Sequence, residues 1–223
     1  MPTLPQQIDA LERLYGAPSA PIAIEPFAQI LWESVAYLAS DARRAEAFAL
    51  LERSAGLTPQ AILRASDASL LAVTKLGGIH PELRAERLRE IAEIAHEEFD
   101  DNLAPILQLP LKAAKKSLQR FPMIGEPGAE KILLVAGAYP LMALDSNGLR
   151  ALIRLGYGEE RKSYSATYRS AQTAAAVEIE ETCGARLRAM LVLRTHGQEC
   201  CKNARPNCAG CVLKQECGFF QRR

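Results

Sequence analysis

Apolar residues recur at three- and four-residue intervals along nearly the whole chain, in stretches 26–38 (PFAQILWESVAYL), 43–51, 69–76, 81–99, 111–118, 129–136, 149–155, 164–182 and 185–194. That spacing lays them along one face of an α-helix, and no stretch shows the period of two that a half-buried strand needs. Start and stop signals agree. Thr58-Pro59 and His80-Pro81 put proline at a first helical position, Ser66 or Asp67 can cap the helix through Leu70 and Leu71, and Gly56, Gly77 and Gly137 stand where helices stop. The chain is therefore expected to be all-α with short connections. Its 223 residues, 48% hydrophobic, can bury one large core or two small ones. It has no repeat of solenoid length and no low-complexity tract.

No run approaches the roughly 18 consecutive apolar residues of a membrane span. The N-terminus MPTLPQQIDALERLYG lacks a basic start, an apolar run and a small-residue cleavage site. A cytoplasmic setting without membrane contact is expected, where reducing conditions favour metal or cluster ligation over disulfides for grouped cysteines. The net charge of +1 on its own points to a small-molecule enzyme, but the charge is unevenly spread. Residues 102–125 hold Lys112, Lys115, Lys116 and Arg120 and no acid, and residues 186–223 set eight basic residues against Glu199 and Glu216. Residues 82–101 carry eight acids and three arginines. Such polarity suits either solvated helix faces or a molecule with one side turned to DNA.

Four of the six cysteines lie in CKNARPNCAGCVLKQEC, spaced C-x6-C-x2-C-x5-C from Cys201 through Cys208 and Cys211 to Cys217. Four thiolates this close can wrap a zinc ion or a 4Fe-4S cluster, and spacing alone does not choose. Zinc sites usually present two short pairs. Here one long and one medium gap flank a single pair, which suits a loop around a larger object. Cys200 and Cys183 read as small buried hydrophobes or bystanders, although Cys200 could replace Cys201.

The run LRTHGQECC, with His196-Gly197 five and four residues before Cys201, followed by that cysteine spacing, resembles the iron–sulfur loop of the endonuclease III family of DNA glycosylases. The resemblance implies a structural 4Fe-4S cluster on Cys201, Cys208, Cys211 and Cys217, in a basic loop whose Lys202, Arg205 and Lys214 would meet DNA phosphates. It also implies a helix-hairpin-helix upstream. Phe121-Pro122-Met123-Ile124-Gly125 is similar to the family's L-P-G-V-G turn, which points helix N-terminal N–H groups at a phosphate, with Gly125 and Gly128 at the approach. Met123 departs from the usual glycine, which predicts a differently shaped first turn.

Asp145, eighteen residues past Pro127, stands in LDSNGLRAL where the family keeps its essential aspartate. Read alone, Asp-Ser-Asn at a helix start is a cap. The bifunctional members carry a nucleophilic lysine where this chain has Pro127, so a Schiff base at that position is excluded and hydrolysis remains. Asn147 makes LDSN more similar to the LDGN of the adenine glycosylases. Those relatives also keep a proton-donating glutamate seven residues after a helix-starting proline, the place of Glu33 after Pro26. Beside Trp32 on an apolar helix, Glu33 is expected to be either a protonated or paired acid or a surface residue. Leu38 holds the place of a glutamine that enters the gap left by a flipped base, so an apolar wedge is implied there. Lys131, one helical turn past Pro127, reads as a surface or phosphate-touching lysine, with a lyase role as the alternative.

The resemblance covers about residues 26–217 and implies a two-lobed helical glycosylase fold. One lobe is a helical barrel of residues 26–139 with the hairpin at about 111–136. The other joins residues 1–25 to 140–223 and bears the cluster, and a cleft between the lobes would hold Glu33 and Asp145 and accept a nucleotide turned out of the duplex. The expected activity is base excision from double-stranded DNA containing a damaged or mismatched base, by a monofunctional, monomeric glycosylase. The alternatives are an abasic-site lyase working through Lys131 and a catalytically inactive reader of damaged DNA. A redox enzyme is disfavoured because cysteines fill every ligand position of the cluster.

Overall fold

A computed structural model describes residues 2–222, and among them every regular element is a helix apart from one isolated bridge, as the periodicity requires. In chain order the helices are α1 (Leu4–Tyr15), α2 (Pro26–Ser34), α3 (Asp41–Ser54), α4 (Pro59–Arg64), α5 (Asp67–Leu76), α6 (Pro81–Phe99), α7 (Leu111–Leu118), α8 (Glu126–Val135), α9 (Ser146–Leu155), α10 (Tyr164–Ala176), α11 (Cys183–Glu199) and α12 (Gly218–Gln221), with a 3-10 turn at Ala104–Gln108. The chain divides into two compact units, Pro21–Ala136 and the residues on either side of it. No helix among the described residues is long and apolar enough to cross a membrane.

Several helix starts are set by side chains that accept a first-turn N–H, each worth about 1 kcal/mol. Ser40, Thr58, Ser66, Ser163 and Thr182 do this for α3, α4, α5, α10 and α11. Several boundaries differ from the periodicity. Helix α1 lies outside the predicted stretches, although Leu4, Ile8 and Leu11 bury its apolar stripe. Helix α10 stops at Ala176 instead of running to residue 182. Helix α2 stops at Ser34 instead of residue 38, because the chain then turns to pair Tyr37 with Gly78 in an isolated parallel bridge and Leu38 takes a left-handed φ of 52°.

The unit Pro21–Ala136 is built around Phe27, Ile30, Leu31, Leu51, Ile62, Leu70, Val73, Leu88, Ile91, Leu118, Phe121, Ile132 and Leu133, all buried. The hairpin of this unit joins α7 to α8 through Phe121–Gly125. Met123 adopts φ 68°, the left-handed conformation that glycine enters freely, so the turn is made in glycine-like geometry by a methionine at roughly 1–3 kcal/mol. Gly125 follows as the N-cap of α8.

In the other unit, Leu4, Ile8, Leu11, Met142, Leu144, Leu149, Leu152, Tyr168, Val192 and Leu193 form one core. Helix α11 crosses the start of α9 so closely that a Cβ on Gly197 would lie 2.5 Å from the Asn147 carbonyl oxygen and 2.7 Å from its carbonyl carbon. Backbone gives way far less easily than a side-chain end. Gly197→Ala is therefore expected to destabilise the fold by roughly 1–3 kcal/mol, measured by urea unfolding, whereas Gly184→Ala, with open space around it, serves as the neutral control.

Candidate active site and cysteine-lined cavity

Asp145 sits at the N-cap of α9 with extended backbone, φ −91° and ψ 176°. Its Oδ1 accepts the N–H groups of Asn147 and Gly148 at 3.0 and 2.7 Å, so the capping role is real. Its Oδ2 takes the Asn147 amide at 3.3 Å and the Arg194 guanidinium at 3.1 Å. One oxygen is thus given over to the helix start, and the other meets longer, more adjustable donors. The side chain keeps 15% of its surface accessible. Arg194, on α11, escaped the sequence reading because an arginine 49 positions away carries no local signal of its partner.

Asn147 serves this same site. Its side-chain oxygen accepts from Arg150, which also donates to the carbonyls of Gly197 and Cys201, so one guanidinium ties the start of α9 to the cysteine loop. Burial lowers the Arg150 pKa, and the nearby Cys201 counters that. A groove along α9 is lined by Ser146, Arg150, Arg154, Lys162, Tyr164 and Arg222 among others, a basic surface beginning next to Asp145. Burial and the Asp145 carboxylate together push the Tyr164 hydroxyl up.

In the unit Pro21–Ala136, Glu33 on α2 accepts from the Lys131 ammonium of α8 at 2.6 Å and has Arg44 of α3 at 3.9 Å. Both partners of the short pair are largely enclosed, with side-chain exposures of 22% for Glu33 and 18% for Lys131. Lys131 is therefore not the solvent-facing lysine the sequence suggests. Residues one turn past Pro127 on α8 face α2, and the nearest acid on that helix captures the ammonium. An ammonium held on a carboxylate is a hydrogen-bond donor and a poor nucleophile.

Leu38 is 76% exposed and stands beside Tyr37 and Ile79, both also exposed, along the bridge to Gly78. The two glycines of this ridge are demanded by packing. A Cβ on Gly77 would lie 2.1 Å from the Val35 carbonyl oxygen, and one on Gly78 2.2 Å from that of Tyr37. At the hairpin the opposite holds: Cβ atoms on Gly125 and Gly128 would meet nothing of the protein closer than 3.9 and 3.5 Å, so the protein's own packing does not require either glycine. Glu126 at the start of α8 pairs with Lys115 at 2.6 Å, and Lys115 also holds Glu130 at 2.7 Å. Burial alone would lower the Lys115 pKa, but these two carboxylates outweigh it and raise it. Lys112 and Lys116 remain exposed on α7.

At the C-terminal end, Cys200, Cys201, Cys208, Cys211 and Cys217 all line one cavity, closed by Leu155, Pro206, Phe219 and Phe220. Five thiols in an apolar enclosure are a donor set for soft metals, and four of them satisfy a 4Fe-4S cluster. Arg154, stacked on Phe219, donates to the carbonyls of Cys201, Lys202 and Asn203 and lies 3.5 Å from the Cys201 sulfur. Guanidinium N–H groups aimed at a sulfur and at the loop's carbonyls fix that loop and offset thiolate charge. Lys202, Arg205 and Lys214 are exposed on its outer side. His196 is buried beneath it, and burial pushes its pKa down to about 4, which leaves the ring neutral.

No family model matches the chain. A curated endonuclease III from Thermotoga maritima is 27% identical over 166 residues, 74% of this chain and 70% of that protein. Among solved structures, a trapped covalent intermediate of endonuclease III with DNA superposes with a TM-score of 0.77 at 18% identity, covering 100% of this chain and 99% of that one. A thermostable thymine-DNA glycosylase gives 0.76 at 16% identity, covering 98% and 95%.

Proposed function

The chain is endonuclease III-like in sequence and in fold, and from that premise we propose that it is a DNA glycosylase of base-excision repair, hydrolysing the N-glycosidic bond of a damaged or mismatched base and leaving the strand uncut. The observation that carries this reading is Asp145, a carboxylate fixed by Asn147, Gly148 and Arg194, together with Pro127 where a lyase would need an amine.

As the bond to the base lengthens, positive charge develops on the sugar, and a carboxylate already held in place stabilises it without having to reorganise. Oδ2, with its longer contacts of 3.1 and 3.3 Å, is the oxygen assigned to orient the attacking water. Water oxygen bonds to the sugar carbon and gives up a proton to the Asp145 carboxylate, while the carbon–nitrogen bond breaks with its electron pair passing to the base, which takes up a proton as it leaves. Glu33, which is paired with the Lys131 ammonium in its own unit, is assigned to pass a proton to the leaving base. An ammonium so held also supports hydrolysis over lyase chemistry.

DNA is held by its phosphates and opened by an apolar edge. The first-turn N–H groups of α8 at Gly125 and Gly128 are assigned to one phosphate, and Lys202, Arg205 and Lys214 to others. Leu38, flanked by Tyr37 and Ile79, is assigned to the gap left by the flipped nucleotide. Asn147 is a positioning residue, engaged with Asp145 and Arg150. Cys201, Cys208, Cys211 and Cys217 are assigned to a 4Fe-4S cluster, which when bound braces the basic loop.

The test is a panel of duplexes, each with one damaged or mismatched base, scored directly, after alkali and after borohydride. Strand cleavage that requires alkali at one lesion class, with no borohydride-trapped adduct, is the expected result. Direct cleavage with a trapped adduct would assign a lyase, with Lys131 the first candidate, and tight binding without base release would assign a reader of damaged DNA.

A further inference from the structure

A four-iron cluster uses four thiolates, yet five cysteines line the cavity, and the surplus one is not idle in its geometry. The ligand atoms of His196, Cys200 and Cys211 all lie within 4.8 Å of one another. The His196 Nε2 and Cys211 Sγ are 3.9 Å apart. Around a tetrahedral zinc ion, sulfurs stand about 3.8 Å apart and a nitrogen about 3.6 Å from a sulfur, from the bond lengths of such sites. Thiolates bound to separate corners of an iron–sulfur cube are held further apart, since two metal–sulfur bonds and the cube itself lie between them. The His196–Cys211 spacing therefore matches a single ion, and Cys200 lies near enough to both to join them around it.

The surroundings of the three groups favour the same ion. His196 is buried and its Nδ1 is 3.1 Å from the Tyr15 hydroxyl, which orients the ring and leaves Nε2 directed at Cys211. Metal-bound histidines are commonly held in this way through their second nitrogen. The Leu213 N–H donates to the Cys211 sulfur at 3.4 Å, which fixes the direction of that side chain. On the other side of the cavity the Cys201 sulfur faces Arg154, and the Cys217 thiol donates to the Arg154 carbonyl at 3.3 Å. Cys200 and Cys211 thus group with the histidine, and Cys201 and Cys217 with the arginine.

We propose that His196, Cys200 and Cys211 form a mononuclear site for a soft divalent ion such as zinc, overlapping the four-cysteine set through Cys211 and filled when the cluster is not assembled. Two thiolates and an imidazole suit zinc and leave a fourth position for water or a further thiol. Because Cys211 is common to both sets, ion and cluster exclude one another. The loop would then have a folded, metal-bound state without iron.

The test uses the full chain freed of iron under reducing, anaerobic conditions and titrated with cobalt as a spectroscopic probe, followed by displacement with zinc. One cobalt per chain is expected, with thiolate charge-transfer and tetrahedral absorption bands. Cys200→Ser should weaken cobalt binding at least about tenfold while still taking up four irons and turning brown on reconstitution with iron and sulfide. Cys208→Ser should do the reverse, keeping cobalt and losing the cluster. His196→Gln, in a buried position, is judged only alongside Cys200→Ser, whose half-buried thiol is the safer change. Unchanged cobalt affinity in Cys200→Ser, cobalt lost with Cys208→Ser, or a cluster lost with Cys200→Ser would each overturn the proposal. None of these readouts depends on base release, so the glycosylase reading stands or falls separately.

Discussion

Asp145→Asn is expected to slow base release by about 10²–10³-fold, while DNA affinity stays within about threefold and the fold loses only roughly 1 kcal/mol. The substitution separates helix capping from the catalytic role proposed for this residue. Asparagine remains a good N-cap, so its carbonyl oxygen can still accept from the N–H groups of Asn147 and Gly148. The changed atom is the one that faces Arg194, where an amide now sets a donor against a donor and the negative charge is gone. Capping survives and electrostatic stabilisation of the sugar does not. Single-turnover rates at saturating enzyme, on the duplex the lesion panel identifies, measure the first quantity. Anisotropy on the same duplex and thermal unfolding measure the other two. A rate within about threefold of the parent would leave Asp145 as a helix cap and nothing more.

The parts of this molecule that were legible in its sequence are those written in short-range spacing. Apolar periodicity marks most of the helices, Pro59 opens a helix and Ser66 caps one where they are expected to, and the cysteines of the C-terminal loop gather round one cavity. What escaped reading depends on which faces meet after folding. Glu33 and Lys131 lie 98 positions apart, and neither helix carries a sign that the other will neutralise it. Arg194 reaches Asp145 for the same kind of reason. Gly197 is marked in the sequence by its place before Cys201, but the packing that demands a glycine there is visible only once the backbone of Asn147 is placed against it. The hairpin shows the converse error. Met123 in place of glycine predicts a differently shaped turn, yet the left-handed conformation is a cost and not a prohibition, and the packing of Phe121 and Ile124 on either side holds it there.

Arg84 is the residue whose loss should damage the fold most, and nothing in its helical context announces it. It is 2% exposed, and burial lowers its pKa, with Glu82 acting against that. In place of a carboxylate its guanidinium is satisfied by four backbone carbonyls: Ile79 at 2.8 Å, Val35 at 2.6 Å, Thr74 at 2.6 Å and Gly78 at 2.8 Å. Val35 is the C-cap of α2 and Thr74 lies in the last turn of α5, so one cation serves two helix C-termini, the negative ends of their dipoles. It also fixes the glycine pair that bridges to Tyr37 and carries the exposed ridge of Leu38 and Ile79. Arg84→Met keeps most of the volume and removes every donor, stranding four acceptors, of which those on Val35 and Thr74 are buried. The expected cost is roughly 3–5 kcal/mol, a fall in Tm on the order of 10 °C for a chain of this size. Arg84→Lys should recover only part of it, because a single ammonium cannot span carbonyls that the planar fork reaches together. If the methionine variant keeps the parental Tm, water must satisfy those carbonyls, and the ridge would then owe its shape to Gly77 and Gly78 instead of to the arginine beneath it.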